Sequence, residues 1–163
     1  MKVLIVTSLL LFDVCICMRG NGRYRGNVRN ELVKFMSDFK AALMDPKCSV
    51  DLDCSGAAML FTEDAIMSVQ DVPPAYGTAE VVKVIQAFKN QDRNIYLGAS
   101  FEDITQCKGI ITAYGKGTVF SLDAQDQPMA LYQKNLVFTF HREKERRKGR
   151  KLKLKYWVDN NIP

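Results

Sequence analysis

At 163 residues, 47% hydrophobic and 25% charged, the chain has the size for one domain with a single sizeable core and the composition of an ordinary soluble globular protein. That excludes a multidomain assembly and a low-complexity chain, and no segment beyond residue 17 approaches the about 20 apolar residues that a membrane helix needs. The net charge of +5 is concentrated. Residues 141–155 hold nine Lys and Arg against Glu143 and Glu145, a local +7, which leaves the remainder near −2.

Lys2 followed by an apolar run over residues 3–12, with Cys15 and Cys17 as small residues before a cut, predicts a signal peptide at 1–17 and a secreted, extracellular product. Residues 18–27, rich in Gly, Asn and Arg, are expected as a flexible leader, and 28–163 as the domain. Val28, Leu32, Phe35, Met36, Phe39 and Leu43 fall at the spacing of an amphipathic helix over 28–44, with Asn27 as its N-cap and Pro46 barring continuation. Ser49 can cap a second, shorter helix that carries Asp51 and Asp53 at its positive end and buries Leu52, Met59 and Phe61. A short strand follows at 65–70, then a loop at 71–77 marked by Pro73, Pro74 and Gly77. Thr78 caps a third helix whose Val81, Val84, Ile85 and Phe88 share a face.

After Phe88 the apolar period falls from 3.6 to 2. Ile95, Leu97, Ala99 and Phe101 alternate in a first long strand, and Lys108-Gly109 turns into a second at 110–122, where Gly115 and Gly117 mark a bend or bulge. A turn at 123–128 leads to strands at 130–141 and 151–159. Strict alternation in the last one puts Leu152, Leu154, Tyr156 and Val158 on one face and Trp157 on the other. Helices first and a meander after them predict an α+β fold: a curved antiparallel sheet of about five strands wrapped around three helices from the N-terminal half.

A chain cut after Cys17 retains Cys48, Cys54 and Cys107, an odd number that allows one internal bridge and leaves one thiol over. Cys48–Cys54 requires at least one partner outside a helix, since six helical residues span about 9 Å; Cys107 is the other available partner. The spacing does not suit zinc, and neither a metal nor a cofactor is expected.

The element order, together with Phe-Thr-Glu-Asp-Ala at 61–65, Gly77 leading into the helix that ends at Phe88, and Lys-Tyr-Trp-Val at 155–158 before Asp159, resembles the nuclear transport factor 2-like superfamily. This is the cone-shaped fold shared by SnoaL-type polyketide cyclases and ketosteroid isomerase, and the resemblance covers residues 28–160. It implies a hollow behind the sheet, a small-molecule ligand, and a homodimer formed through the convex face of the sheet. The catalytic residues of these enzymes do not carry over. Aligned on Asp64-Ala65, Val69 stands where the isomerase has its general base, with Asp71 two residues later in the loop. Helix 28–44 has no tyrosine to serve as oxyanion donor, and a scytalone dehydratase-like site would need two histidines where this chain has only His141.

Phe35, Phe39, Tyr76, Phe101, Tyr132, Tyr156 and Trp157 are the candidates to line an apolar ligand pocket, the plain alternative being core; parity also allows Trp157 on a dimer surface. Asp64, Asp71, Glu102, Asp103 and Asp159 are the acids nearest the inferred cavity, and Asp103, in phase with Phe101 and Leu97, is the candidate acid or base. Arg146, Arg147, Lys148, Arg150, Lys151, Lys153 and Lys155 form a candidate polyanion site for a sulfated glycan or acidic lipid; the alternative is a solvated hairpin whose lysines discourage edge pairing. Without interleaved aromatics, no nucleic-acid partner is expected. The sequence therefore reads as a secreted small-ligand-binding or dimerising domain without evident catalytic residues. An enzyme of the SnoaL or isomerase kind using a pocket carboxylate, and an extracellular polyanion-binding module, are the alternatives.

Overall fold

The computed structural model describes residues 22–145 and 149–161. The expected signal peptide, the first residues of the leader, and the Arg146, Arg147 and Lys148 of the basic hairpin lie outside them.

Helix α1 (Gly22–Met44) begins upstream of the expected Asn27 cap, because nothing between Gly22 and Asn27 forbids helical backbone. Val28, Leu32, Phe35, Met36, Phe39 and Leu43 are all buried, as their spacing requires, each contributing on the order of 1.5–3 kcal/mol by leaving water. Two polar links fix α1 across the sheet. Arg142 donates through Nε and one terminal nitrogen to the two oxygens of Glu31, each at 3.0 Å, and Arg29 donates to the carbonyl of Phe101 at 3.3 Å.

Pro46 ends α1 and opens α2 (Pro46–Ser49), whose N-cap is Asp45; its carboxylate accepts from the Lys47 N–H at 2.9 Å. The expected second helix from Ser49 does not form. Leu52 takes a positive φ of 61°, breaking the chain before a single turn at α3 (Ser55–Ala58). Met59 is consequently 67% exposed, and Phe61 enters a strand instead. A disulfide joins Cys48 to Cys54 across this break, within bridging reach because the two do not share a helix. Cys107 is disulfide-bonded too in the uncut chain. Gln86 Nε2 and an Arg93 guanidinium nitrogen hold the carbonyls of Leu52 and Val50 at 2.6 and 2.9 Å, fastening the bridged segment to the region of the next helix.

Strand β1 (Phe61–Ser68) pairs with the two-residue β2 (Ala75–Tyr76), and Gly77, at φ 78°, turns the chain into α4 (Thr78–Gln91). Gly77, not Thr78, occupies the N-cap position; the Thr78 hydroxyl reaches back to the carbonyl of Thr62 at 3.0 Å. The meander then follows as β3 (Tyr96–Cys107), β4 (Ile110–Leu122), β5 (Pro128–Glu145) and β6 (Gly149–Asn161). All six strands form one curved sheet in the order β2-β1-β6-β5-β4-β3, one more strand than the pattern suggested. The first long helix and α4 cover one face; the pairing is antiparallel throughout except that β1 runs parallel to β6.

The meander carries three register shifts: one makes Leu131 an extra residue opposite Val119 and Phe120, and the other two decide where expected site residues face. In β3 the register steps from Phe101↔Gly115 to Asp103↔Tyr114, so Glu102 is an extra residue. A Cβ on Gly115 would lie 1.9 Å from the Ser100 carbonyl oxygen, which is why only glycine fits opposite the kink. In β6 the register steps from Phe140↔Leu154 to Thr139↔Tyr156, making Lys155 the extra residue. Strict alternation fails there: Leu154, Trp157 and Asp159 are buried together, while Tyr156 and Val158 are exposed.

Candidate functional site

The inner face of the sheet is carpeted by aromatic rings. Phe39 of α1 meets Phe61 and Trp157 edge-on at 5.9 and 5.8 Å, and Phe138 meets Trp157 at 5.2 Å. Where α1 and α4 part at the end away from the basic hairpin, the carpet leaves a cleft with a cavity volume of about 70 Å³. Helices α1 and α4 supply Phe39, Leu43, Ile85 and Phe88 to its walls, the strands supply Leu97, Val119 and the aromatic residues Tyr96, Tyr132 and Trp157, and Val69 joins them from the residue just past β1.

Three ionic side chains interrupt the apolar lining: Lys89, Lys134 and Asp159. Lys134 and Asp159 sit on neighbouring strands in diagonal register, Leu136 being the residue directly opposite Asp159. Lys134 Nζ lies 3.0 Å from Asp159 Oδ1, and both side chains are almost wholly withdrawn from water. The same Asp159 oxygen accepts from the Gln70 N–H at 3.2 Å, and Oδ2 accepts from the Trp157 indole N–H at 3.2 Å. Asp159 therefore orients Trp157 and ties β5, β6 and the end of β1 together. Lys134 also lies 5.5 Å from the centre of the Tyr132 ring.

Lys89 is buried at the C-terminal end of α4. Its ammonium donates to the carbonyls of Arg93 at 2.6 Å and Ile95 at 3.0 Å and approaches Met44 Sδ at 3.9 Å. Burial lowers its pKa to about 8; the neighbouring Asp92 opposes the shift and Arg93 adds to it.

Of the seven expected pocket residues, Phe39, Tyr132 and Trp157 line the cleft. Phe35 and Phe101 are core instead, packed against Phe140 and Phe138 respectively. Tyr76 is 63% exposed on the sheet's edge, with its N–H bonded to Glu80, and Tyr156 is on the outer face because of the Lys155 bulge. The same bulge removes Trp157 from the outer surface, where parity had allowed a dimer contact. Asp103, the expected acid or base, is exposed and accepts from the Ile104 N–H at 2.9 Å; the Glu102 bulge breaks the phase that would have aimed it inward. Val69 does face the cleft, so the position aligned with the isomerase base is apolar. Among the described residues no group of three His, Cys, Asp or Glu is placed to hold a metal ion.

In the basic hairpin, Lys153 pairs with Glu143 at 3.0 Å and Lys155 with Asp64 at 2.6 Å. The contact with Lys155 holds the Asp64 carboxyl below its ordinary range and raises the lysine in turn. These two lysines are thus engaged within the fold. Lys151 also has a partner, and no side-chain position is described for Arg150. Sequence reasoning missed Lys89 and Lys134. The available signals were periodic: Lys134 falls in phase with Leu136, Phe138 and Phe140, and Lys89 lies four residues after Ile85 and eight after Val81 on the buried face of α4.

No family model matches the chain, and no curated protein matches it. Solved structures do. ActVI-ORFA from Streptomyces coelicolor superposes with a TM-score of 0.62 at 21% identity, over 82% of this chain and 96% of its own. A protein from Novosphingobium aromaticivorans described as NTF2-like with a cystatin-like fold gives a TM-score of 0.53 at 17% identity, over 89% and 92%. The chain has the nuclear transport factor 2-like fold. A further example of similar shape, from Catenulispora acidiphila, was solved in complex with S-DNPA; its TM-score is 0.58 at 15% identity, covering 85% of this chain and 93% of that one. Identities this low establish the nuclear transport factor 2-like architecture and leave the chemistry to the residues in the cleft.

Proposed function

We propose that this protein is a small-ligand-binding domain whose site is the cleft between α1, α4 and the inner face of the sheet. The observation that carries the reading is a concave, aromatic-walled cleft with a few placed polar groups, the usual make-up of a small-molecule site. The complex of a similarly folded protein with S-DNPA is in keeping with it. Binding is favoured over proton transfer because the carboxylate in the cleft, Asp159, already accepts three hydrogen bonds through its two oxygens. A carboxylate so occupied has little lone-pair capacity to offer a substrate proton.

Trp157 is the only tryptophan in the chain and forms part of the wall, so its emission reports directly on occupancy. Protein purified under mild conditions, extracted and examined by mass spectrometry is expected to release a stoichiometric small molecule, and re-adding it should shift Trp157 emission saturably. An extract without such a molecule, and emission indifferent to a panel of aromatic and aliphatic compounds, would refute the reading.

A second reading, self-association through the outer face of the sheet, has its own observation. Tyr114, Val137 and Val158 lie in register across three strands, and Tyr114 and Val158 are 47% and 37% exposed beside Tyr156 at 38%. Sedimentation should give a dimer that Tyr114→Glu with Val158→Glu converts to monomer. Export through residues 1–17 belongs to the same proposal and is tested by sequencing the N-terminus of protein recovered from the medium.

A further inference from the structure

The hydrogen-bonding capacity of the cleft is unevenly used. The Lys89 ammonium has three donors, two held by the carbonyls of Arg93 and Ile95 and the third near Met44 Sδ. Asp159 is filled by Lys134, Gln70 and the Trp157 indole. Lys134 differs. It too has three donors, and among the described residues Asp159 is its one hydrogen-bond acceptor. Its side chain is 10% exposed, so the remaining N–H groups have little water to turn to, and they lie in the wall of the cleft. Buried donors without acceptors are costly, and a ligand oxygen placed there removes that cost.

Charge then selects among oxygens. Two ammonium groups and one carboxylate line the site, leaving it one positive charge in excess inside apolar walls, where little water screens it. We infer that the cleft selects an apolar molecule carrying an anionic head group such as a carboxylate, and that Lys134 is the residue that receives the head while Phe39, Tyr132 and Trp157 cover the body. Asp159 acts as a positioning residue: it holds the Lys134 ammonium in place and moderates its attraction for the ligand. The inference rests on the ligand-binding reading of the same cleft and adds the ligand's class.

The test is a matched pair of probes of the same shape, phenylacetate and phenylacetamide, titrated against the full-length protein by calorimetry and Trp157 emission. Wild type should bind the acid about tenfold or more tightly than the amide, as an ammonium–carboxylate ion pair replaces an ammonium–amide hydrogen bond whose acceptor is neutral. Lys134→Met should bring the ratio close to one. Asp159→Asn, which removes the competing carboxylate but keeps an acceptor for Lys134, should widen the ratio. If Lys134→Met does not fold, the Asp159→Asn result decides alone, because a purely structural pair would weaken both probes equally or leave both unchanged. Equal binding of acid and amide by wild type overturns the inference while the ligand-binding reading survives. Preference for the cationic analogue phenethylamine overturns it and makes Asp159 the anchor. Failure of all three probes at millimolar concentration overturns both.

Discussion

Replacing Phe39 by alanine probes the core and the cleft together. The ring is 2% exposed, stacks 6.3 Å from Phe35 and makes edge contacts with Phe61 and Trp157. Truncating a buried Phe to Ala removes its transfer free energy and leaves a void, for a loss of about 3–5 kcal/mol. At about 2–4 °C per kcal/mol for a chain of this length, Tm should fall by about 6–20 °C. Because the void opens into the existing cleft, the variant should bind a small apolar filler such as benzene or indole and recover stability in proportion to RT ln(1 + [L]/Kd). The assay is urea unfolding followed through Trp157, with and without the filler. A loss below about 1 kcal/mol would mean that Phe39 is not enclosed as described, and normal destabilisation without rescue would mean that its space collapses and does not join the cleft.

The Lys134–Asp159 pair should behave as a unit. Lys134→Met and Asp159→Ala are each expected to cost about 3–5 kcal/mol by stranding a buried charge, and the double substitution should cost at least about 2 kcal/mol less than their sum; additive losses in a double-mutant cycle would show that the two are not coupled. Gly115→Ala should lose about 1–3 kcal/mol because its Cβ meets Ser100 and Phe101 backbone, while Gly56→Ala, with open space around the Cβ, should not destabilise; equal urea midpoints for the two would contradict the packing at the bulge. Lys89 predicts a pH dependence. Its folded pKa of about 8 lies below the ordinary 10.5, so the unfolded chain holds the proton more tightly between those values. The penalty for burying the charge is therefore full below pH 8 and is relieved as pH rises towards 10.5, by up to about 3 kcal/mol. Lys89→Met should abolish this gain relative to wild type, and stability profiles that run parallel across pH 8–10.5 would refute it.

Particular residues show where the sequence sufficed. The buried stripe of α1 followed from six apolar positions at helical spacing, because burial of one helix face is a local, periodic property. Strand β4 and the turn at Lys108-Gly109, with φ of 45° and 86°, were equally legible, since a turn needs residues that tolerate positive φ. The resemblance in element order placed the sheet and its helices in one fold before any coordinate did. The reading of the cleft was thinner: Phe39, Tyr132 and Trp157 were named, and the lysines were not.

What tertiary structure alone decided was the facing of side chains after each bulge and the pairing of strands distant in sequence. An extra residue at Glu102 or Lys155 leaves no mark on composition or period, yet it turns Asp103 away from the interior and brings Trp157 and Asp159 into it. Lys134 and Asp159 meet because β5 and β6 are zipped in one register out of several that their alternating patterns would tolerate, and that choice belongs to the whole packed sheet.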